Sequence, residues 1–123
     1  MNTRNKALEN LLSYESFLTF FKDWISEEQK LNPNLSIGKI AKCMDLSHTA
    51  SVSNILKGRR VPNQETIDKF KKLVQLTQSE DLYLDIITEK DRHRDNKILN
   101  TALDLSIANI KMARNLPSQS LAL

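Results

Sequence analysis

Between Ser36 and Asn63 the chain sets short polar side chains beside cations. His48, Thr49, Ala50, Ser51, Ser53 and Asn54 come first, and Lys57, Arg59 and Arg60 follow within six residues. On one helical face such residues allow close approach to a surface rich in donors and acceptors. The Asn54 amide can pair with adenine at two points, Thr49 and Ser51 can donate or accept, and the Ala50 methyl can meet a thymine methyl. A good two-point pair contributes about 1–3 kcal/mol of discrimination. Lys39, Lys57, Arg59 and Arg60 are cations placed to hold phosphate, and Ser36 and Asn63 stand at helix starts where backbone N–H groups do the same.

These residues need helices to position them. Ser36 is predicted to cap a helix to about Cys43, with Ile37, Ile40, Ala41 and Met44 inward and Lys39 and Lys42 outward. Asp45-Leu46 makes the turn, and Ser47 or Thr49 caps the next helix, which Val52, Ile55 and Leu56 hold to the core. Gly58 suits a left-handed helix end, where a side chain would clash. Two short helices, a tight turn and a basic loop form the layout of a helix-turn-helix, whose second helix lies in the major groove.

The flanking segments supply the core. Tyr14, Phe17, Leu18, Phe21, Trp24 and Ile25 recur at helical spacing, with Ser13 as the predicted cap and Asn32-Pro33 as the end. Ala7, Leu8, Leu11 and Leu12 suggest a shorter helix before it. After the loop, Asn63 caps a helix burying Ile67, Phe70, Leu73 and Val74. Thr77 to Glu80 matches a capping box for a helix burying Leu82, Tyr83, Ile86 and Ile87. Glu89 to Lys97, around His93, reads as a solvated mixture of charges. A last helix from about Asp95 to Arg114 carries Ile98, Leu99, Ala102, Leu103, Leu105, Ile107, Ile110 and Ala113, an apolar surface broad enough to need a partner. The resulting division is an extension over 1–13, a helix-turn-helix domain over 14–92, a C-terminal helix over 93–116 as a dimerisation or protein-docking element, and a flexible tail over 117–123.

Composition bounds this reading. The 123 residues suit one domain, and only two glycines and three prolines point to an all-α protein. No stretch approaches the roughly 18 apolar residues of a membrane span, and Glu9 and Glu15 interrupt any signal peptide, so a cytoplasmic, membrane-free protein is expected. Cys43, the single cysteine, reads as a small buried hydrophobe. The net charge is +3, but residues 36–72 hold eight basic groups against three acidic ones, whereas each flank is net −1. The positive field is concentrated on the motif, which fits a polyanionic partner.

At these residues the chain resembles the lambda repressor-like family, the Xre or Cro/cI type. The match runs from about Leu35 to Leu76: Ile40-Ala41 in the first helix, Leu46-Ser47 entering the second, Ile55-Leu56-Lys57-Gly58-Arg59-Arg60 with Pro62 closing it, and Glu65-Thr66-Ile67 opening the next. The resemblance implies a compact bundle of about five helices, here with an additional long C-terminal helix, and sequence-specific binding of double-stranded DNA, usually as a homodimer in transcriptional control. Two departures stand out. Asp45 occupies the turn position where the family commonly has glycine, and the interval from Leu46 to Gly58 is one residue longer than usual. Tyr14 to Ile25, Asn32-Pro33 and this longer interval are also similar to the N-terminal region of a group of larger bacterial regulators of the same superfamily.

A second reading keeps the fold without DNA recognition: an antitoxin, anti-regulator or scaffold working through the C-terminal helix. Asp45 and the modest net charge favour it, and the basic segment opposes it. RNA binding ranks third, because exposed aromatic platforms are not evident. An enzyme, a metal site or a cofactor is not expected, since His48 and His93 are isolated and neither glycine belongs to a phosphate loop.

Overall fold

A computed structural model describes residues 4–115, with side chains to residue 113. The tail expected over 117–123 lies outside the described residues. Among these the chain is all-helical: α1 (Lys6–Glu9), a 3-10 turn (Leu11–Ser13), α2 (Phe17–Leu31), α3 (Ile37–Cys43), α4 (Thr49–Leu56), α5 (Gln64–Leu73), α6 (Gln78–Arg92) and α7 (Lys97–Asn115). The bundle is built around α2, which packs on α1, α4 and α6, while α7 lies along α6.

The reason lies in one face of α2. Phe17, Phe20, Phe21 and Trp24 are all buried there at helical spacing. Phe70 of α5 enters this face, with its ring nearly perpendicular to Phe21 at 5.6 Å and to Trp24 at 5.0 Å. Edge-on pairs of this kind contribute about 0.5–1.5 kcal/mol each beyond the area they bury. Val52 and Ile55 of α4, Ile40, Ala41 and Met44 of α3, and Tyr83, Leu84 and Ile87 of α6 complete the same core. Ala7, Leu8, Leu11 and Leu12 belong to it as well.

Several local expectations hold. Ser36, Asn63 and Thr77 cap α3, α5 and α6 with their side-chain oxygens, and Thr77 with Glu80 forms a complete capping box. Asn32 ends α2. Others are corrected. Ser13 closes the 3-10 turn instead of capping α2, so Tyr14 lies outside the helix. The cap of α2 comes from far along the chain: the Asp91 carboxylate of α6 accepts from the Leu18 N–H and the Ser16 hydroxyl, both at 3.1 Å. A negative group at this end also complements the helix dipole. In α6 the buried face is rotated from the predicted one, with Leu82 53% exposed and Leu84 fully buried. Each residue turns a helix by about 100°, so these two leucines, two positions apart, point about 200° apart around the axis. The α4 start is neither Ser47 nor Thr49: His48 occupies the cap position and its side chain caps nothing. Cys43 is exposed, because the inward stripe of α3 is Ile40, Ala41 and Met44, and Cys43 falls outside it.

The N-terminal segment is clamped onto α6. Arg4 donates two bonds to the buried Glu80 carboxylate, at 2.9 and 2.6 Å, and one to the Gln75 carbonyl. Burial pushes the Glu80 carboxyl up, but Arg4 and the Thr77 N–H and hydroxyl outweigh it and hold it below the usual carboxylate range. A carboxyl lowered on folding gives stability that is present above its unfolded value, near 4.3, and is lost as pH falls through the folded value. Glu80→Gln should therefore lower the urea midpoint at neutral pH and flatten its decline on acidification below about pH 5; parallel pH profiles would remove Glu80 from the acid response.

The two short helices close in the same manner. After α3 the Asp45 N–H bonds to Lys42 O and the Leu46 N–H to Ala41 O; after α4 the Gly58 N–H bonds to Ile55 O and the Arg59 N–H to Asn54 O. These are the paired bonds of the Schellman motif, which needs a left-handed residue. Gly58 meets that need at φ +72°, and Asp45 meets it with a side chain at φ +56°. A left-handed L residue costs about 1–2 kcal/mol, softened for Asp. Asp45→Gly should stabilise the protein and Gly58→Ala destabilise it, each by about 1 kcal/mol in urea unfolding; effects of the same sign at both positions would contradict this geometry.

Candidate nucleic-acid interface

The surface assembled by α3, α4 and the loop to α5 starts from the close approach of the two short helices. Gly38 of α3 faces Thr49: a Cβ at Gly38 would lie 3.3 Å from Thr49 Oγ1. An open crevice of about 320 Å³ runs between them, bordered by Ser36, Lys39, Lys42, Ser47 and Thr49. The two backbones can meet here because glycine presents no side chain.

The core-facing residues of α4 fix what it shows outside. Val52 and Ile55 are buried, so His48, Thr49 and Ala50 are exposed at its N-terminal end and Ser51, Ser53 and Asn54 are half-buried along its flank. All six candidate base-reading residues therefore reach solvent, and the N-terminal three reach it most. The Asn54 backbone carbonyl accepts from the Arg59 N–H, so this half-buried residue is coupled to the loop.

Of the candidate phosphate-holding residues, Lys57, Arg59 and Arg60 emerge together from the left-handed closure at Gly58, and all three are exposed. Lys39 stands across the crevice and donates to the Asn34 carbonyl at 3.1 Å. None of these four cations has an acidic partner among the described residues. Ser36 and Asn63 are occupied locally: their side-chain oxygens accept from the Lys39 and Thr66 N–H groups. What they offer outward is the exposed start of a helix.

The positive excess read from the sequence is not all available here. Lys71 lies between Asp81 and Asp85 at 2.8 Å each. Burial lowers its affinity for a proton, but the two carboxylates outweigh burial and keep it charged. Lys69 donates to the Asp45 carbonyl and sits 3.6 Å from Glu65. The free cations of residues 36–72 are thus concentrated on the α3, α4 and loop side, with Lys72 as the exception on α5.

Asp91 and Arg92 belong to the segment expected to be a solvated mixture of charges, and both instead do positioning work. Asp91 caps α2, whose Leu18 side chain lies against Gly58. Arg92 bonds to Glu89 and to the Pro62 carbonyl, tying the basic loop to α6. Arg94 lines a small crevice with Arg60 beside that loop. Sequence patterning could not reveal this, since the partners lie 30 residues or more apart. His93, 3.2 Å from Glu89, faces a carboxylate of its own helix.

Among the described residues no group of three or more His, Cys, Asp or Glu is arranged to hold a metal, and no helix is long and apolar enough to cross a membrane. Comparison with protein-family models, with curated proteins and with solved structures finds no match to this chain.

Cys43 provides a direct check of this surface, because it lies on the exposed side of α3 next to Lys42. A thiol reagent should label it in the native protein at nearly the rate of a free cysteine; labelling that waits for unfolding would contradict the outward placement of this side of α3.

Proposed function

We propose that this chain is a sequence-specific regulator that binds double-stranded DNA, with α4 in the major groove and α3 against the backbone, in the manner of the lambda repressor-like family it resembles. One observation carries the reading: a short helix with exposed small polar residues ends in a left-handed turn that delivers Lys57, Arg59 and Arg60 to the surface without acidic partners. Phosphate contacts supply affinity and position, and base contacts supply sequence information. Here the two roles fall on adjacent segments. Arg59 and Arg60, braced from behind by Arg92 at Pro62, take the phosphate role. His48, Thr49, Ala50, Ser51, Ser53 and Asn54 take the base-reading role, and Lys39, Ser36 and Asn63 flank the groove.

The Asp45 charge stands on the same side of the molecule as α3, and Lys69 bonds to its backbone carbonyl, which sets a cation beside it. The reading extends to a two-fold homodimer acting in the cytoplasm, whose half-sites would lie about one DNA turn, roughly 34 Å, apart. The alternative, a protein-interaction module on the same fold, draws its support from the exposed Ile98, Leu105 and Met112 of α7.

Titration of duplex DNA at two or more salt concentrations separates the readings. A phosphate-binding protein loses affinity steeply with salt, by about 0.9 in log–log slope per phosphate contact. Arg59→Ala with Arg60→Ala should weaken binding to every sequence and reduce that slope by about 2. Asn54→Ala should relax preference at one or two base pairs and leave non-specific binding nearly intact. Unchanged affinity and slope in the double variant would reject the phosphate role, and a uniform loss on all sequences in Asn54→Ala would reject base reading.

A further inference from the structure

The segment from Glu89 to Lys97 mixes both signs in the sequence, and the fold sorts them. Most of its carboxylates are taken up by neighbours: Asp91 accepts from the Ser16 hydroxyl and the Leu18 N–H, and Glu89 is paired with Arg92 and His93. Farther along α7, Lys90 holds Asp104 at 2.6 Å. Arg94 and Lys97 are exposed, and neither has an acidic partner among the described residues. The exposed Asp95 is the one carboxylate of the segment without a cation beside it among those residues.

Hydrogen bonds fix the connection that carries these two cations. The Asn96 N–H bonds to the His93 carbonyl, the Asn96 side chain accepts from the Leu99 N–H, and the Asn100 amide donates to the carbonyls of His93 and Arg94 at 2.8 and 3.2 Å. The connection forms one wall of an open groove of about 950 Å³, and Gly58 and Val61 of the basic loop form the other. Arg94 also shares the smaller crevice with Arg60. The groove is therefore continuous with the loop that presents Lys57, Arg59 and Arg60. Small-ligand sites are concave and mostly apolar. This groove is open, its large apolar residues are Val61 and Ile98, and none of the charged side chains lining it is buried. Exposed cations along such a surface suit an extended polyanion whose charges repeat along a backbone.

We propose that Arg94 and Lys97 contact phosphates of the duplex beyond those held by Arg59 and Arg60, so that the DNA backbone gripped at the loop continues along the α6–α7 junction. This rests on the DNA-binding reading and adds a second segment to its interface. Contacts of this kind add affinity and salt dependence without sequence information. Asp95, at the rim of the same groove, repels phosphate and limits the gain.

Titration of the full chain with a mixed-sequence duplex several helical turns long, across a range of salt, tests the second segment, with circular dichroism as the control for folding. Arg94→Ser with Lys97→Ser should weaken binding and lower the log–log salt slope by about 2, at about 0.9 per phosphate contact. Asp95→Asn should raise affinity at low salt. Lys6→Ser with Lys30→Ser, which removes two cations bordering a separate cavity, should leave the slope unchanged. An unchanged slope in the Arg94, Lys97 variant, an equal drop in the Lys6, Lys30 variant, or weaker binding in Asp95→Asn would overturn the proposal. Without DNA, sodium triphosphate at matched ionic strength should leave the urea midpoint unchanged; saturable stabilisation that the Arg94, Lys97 variant loses would give the groove to a small phosphate ligand instead. The two readings fail separately. If the Arg59, Arg60 variant loses slope and the Arg94, Lys97 variant does not, only the second segment falls, whereas a native chain that binds no duplex overturns both.

Discussion

Phe70 meeting the aromatic face of α2 is the constraint on which the rest of the structure depends. Its ring packs edge-on against Phe17, Phe20, Phe21 and Trp24, at centroid distances from 5.0 to 6.1 Å. This contact fixes α5 against α2. With α5 fixed, the loop from Gly58 to Asn63 has both ends anchored, because Val52 and Ile55 hold α4 to the same core. The orientation of the exposed face of α4 is a consequence of packing elsewhere in the sequence, on the α2 face and at Phe70. A truncation of Phe70 would cost several kcal/mol as a large buried aromatic, and it would also release the surface that carries the polar and basic residues.

A repeated local device shapes that surface. Both α3 and α4 end by reversing through a left-handed residue, and the reversal sets the angle between the two helices and the departure of the basic loop. Glycine does this without strain at Gly58, where a Cβ would also approach Leu18 at 3.6 Å. Asp45 does it at some conformational cost and brings a carboxylate with it. The same backbone geometry is therefore reached by two residues with different electrostatic effects, one neutral beside Arg59 and Arg60 and one negative beside α3. Far contacts brace both: Lys69 reaches the Asp45 carbonyl and Arg92 the Pro62 carbonyl.

Features with a local physical cause were legible in the sequence. The caps at Ser36, Asn63 and Thr77 and the closure at Gly58 each depend on residues within four positions, and each is found where expected; the α2 stripe is found at Phe17, Phe21, Trp24 and Ile25, with Phe20 added to it and Tyr14 outside the helix. The all-helical architecture was legible for the same reason. What was not legible depends on distant partners. Asp91 capping α2, Arg4 clamping Glu80 and Arg92 holding the loop leave no periodic trace. Helix rotation was the second source of error: Leu82 and Leu84, or Cys43 and Met44, are near neighbours in sequence but face opposite environments once packing selects a stripe. In α7, where apolar residues fall on more than one face, periodicity alone could not separate the face on α6 from the outer one. The candidate site was legible as a set of residues, and its division into cations held by carboxylates and cations left free required the structure.

Selection of bound duplexes from a random pool is the most direct test of the central claim that α4 and its basic loop read DNA. The expected result is enrichment of one short motif, repeated with two-fold symmetry at a spacing of about one helical turn, roughly 34 Å. A pool that stays random after repeated rounds at moderate salt, with the folded protein confirmed intact, would contradict the claim.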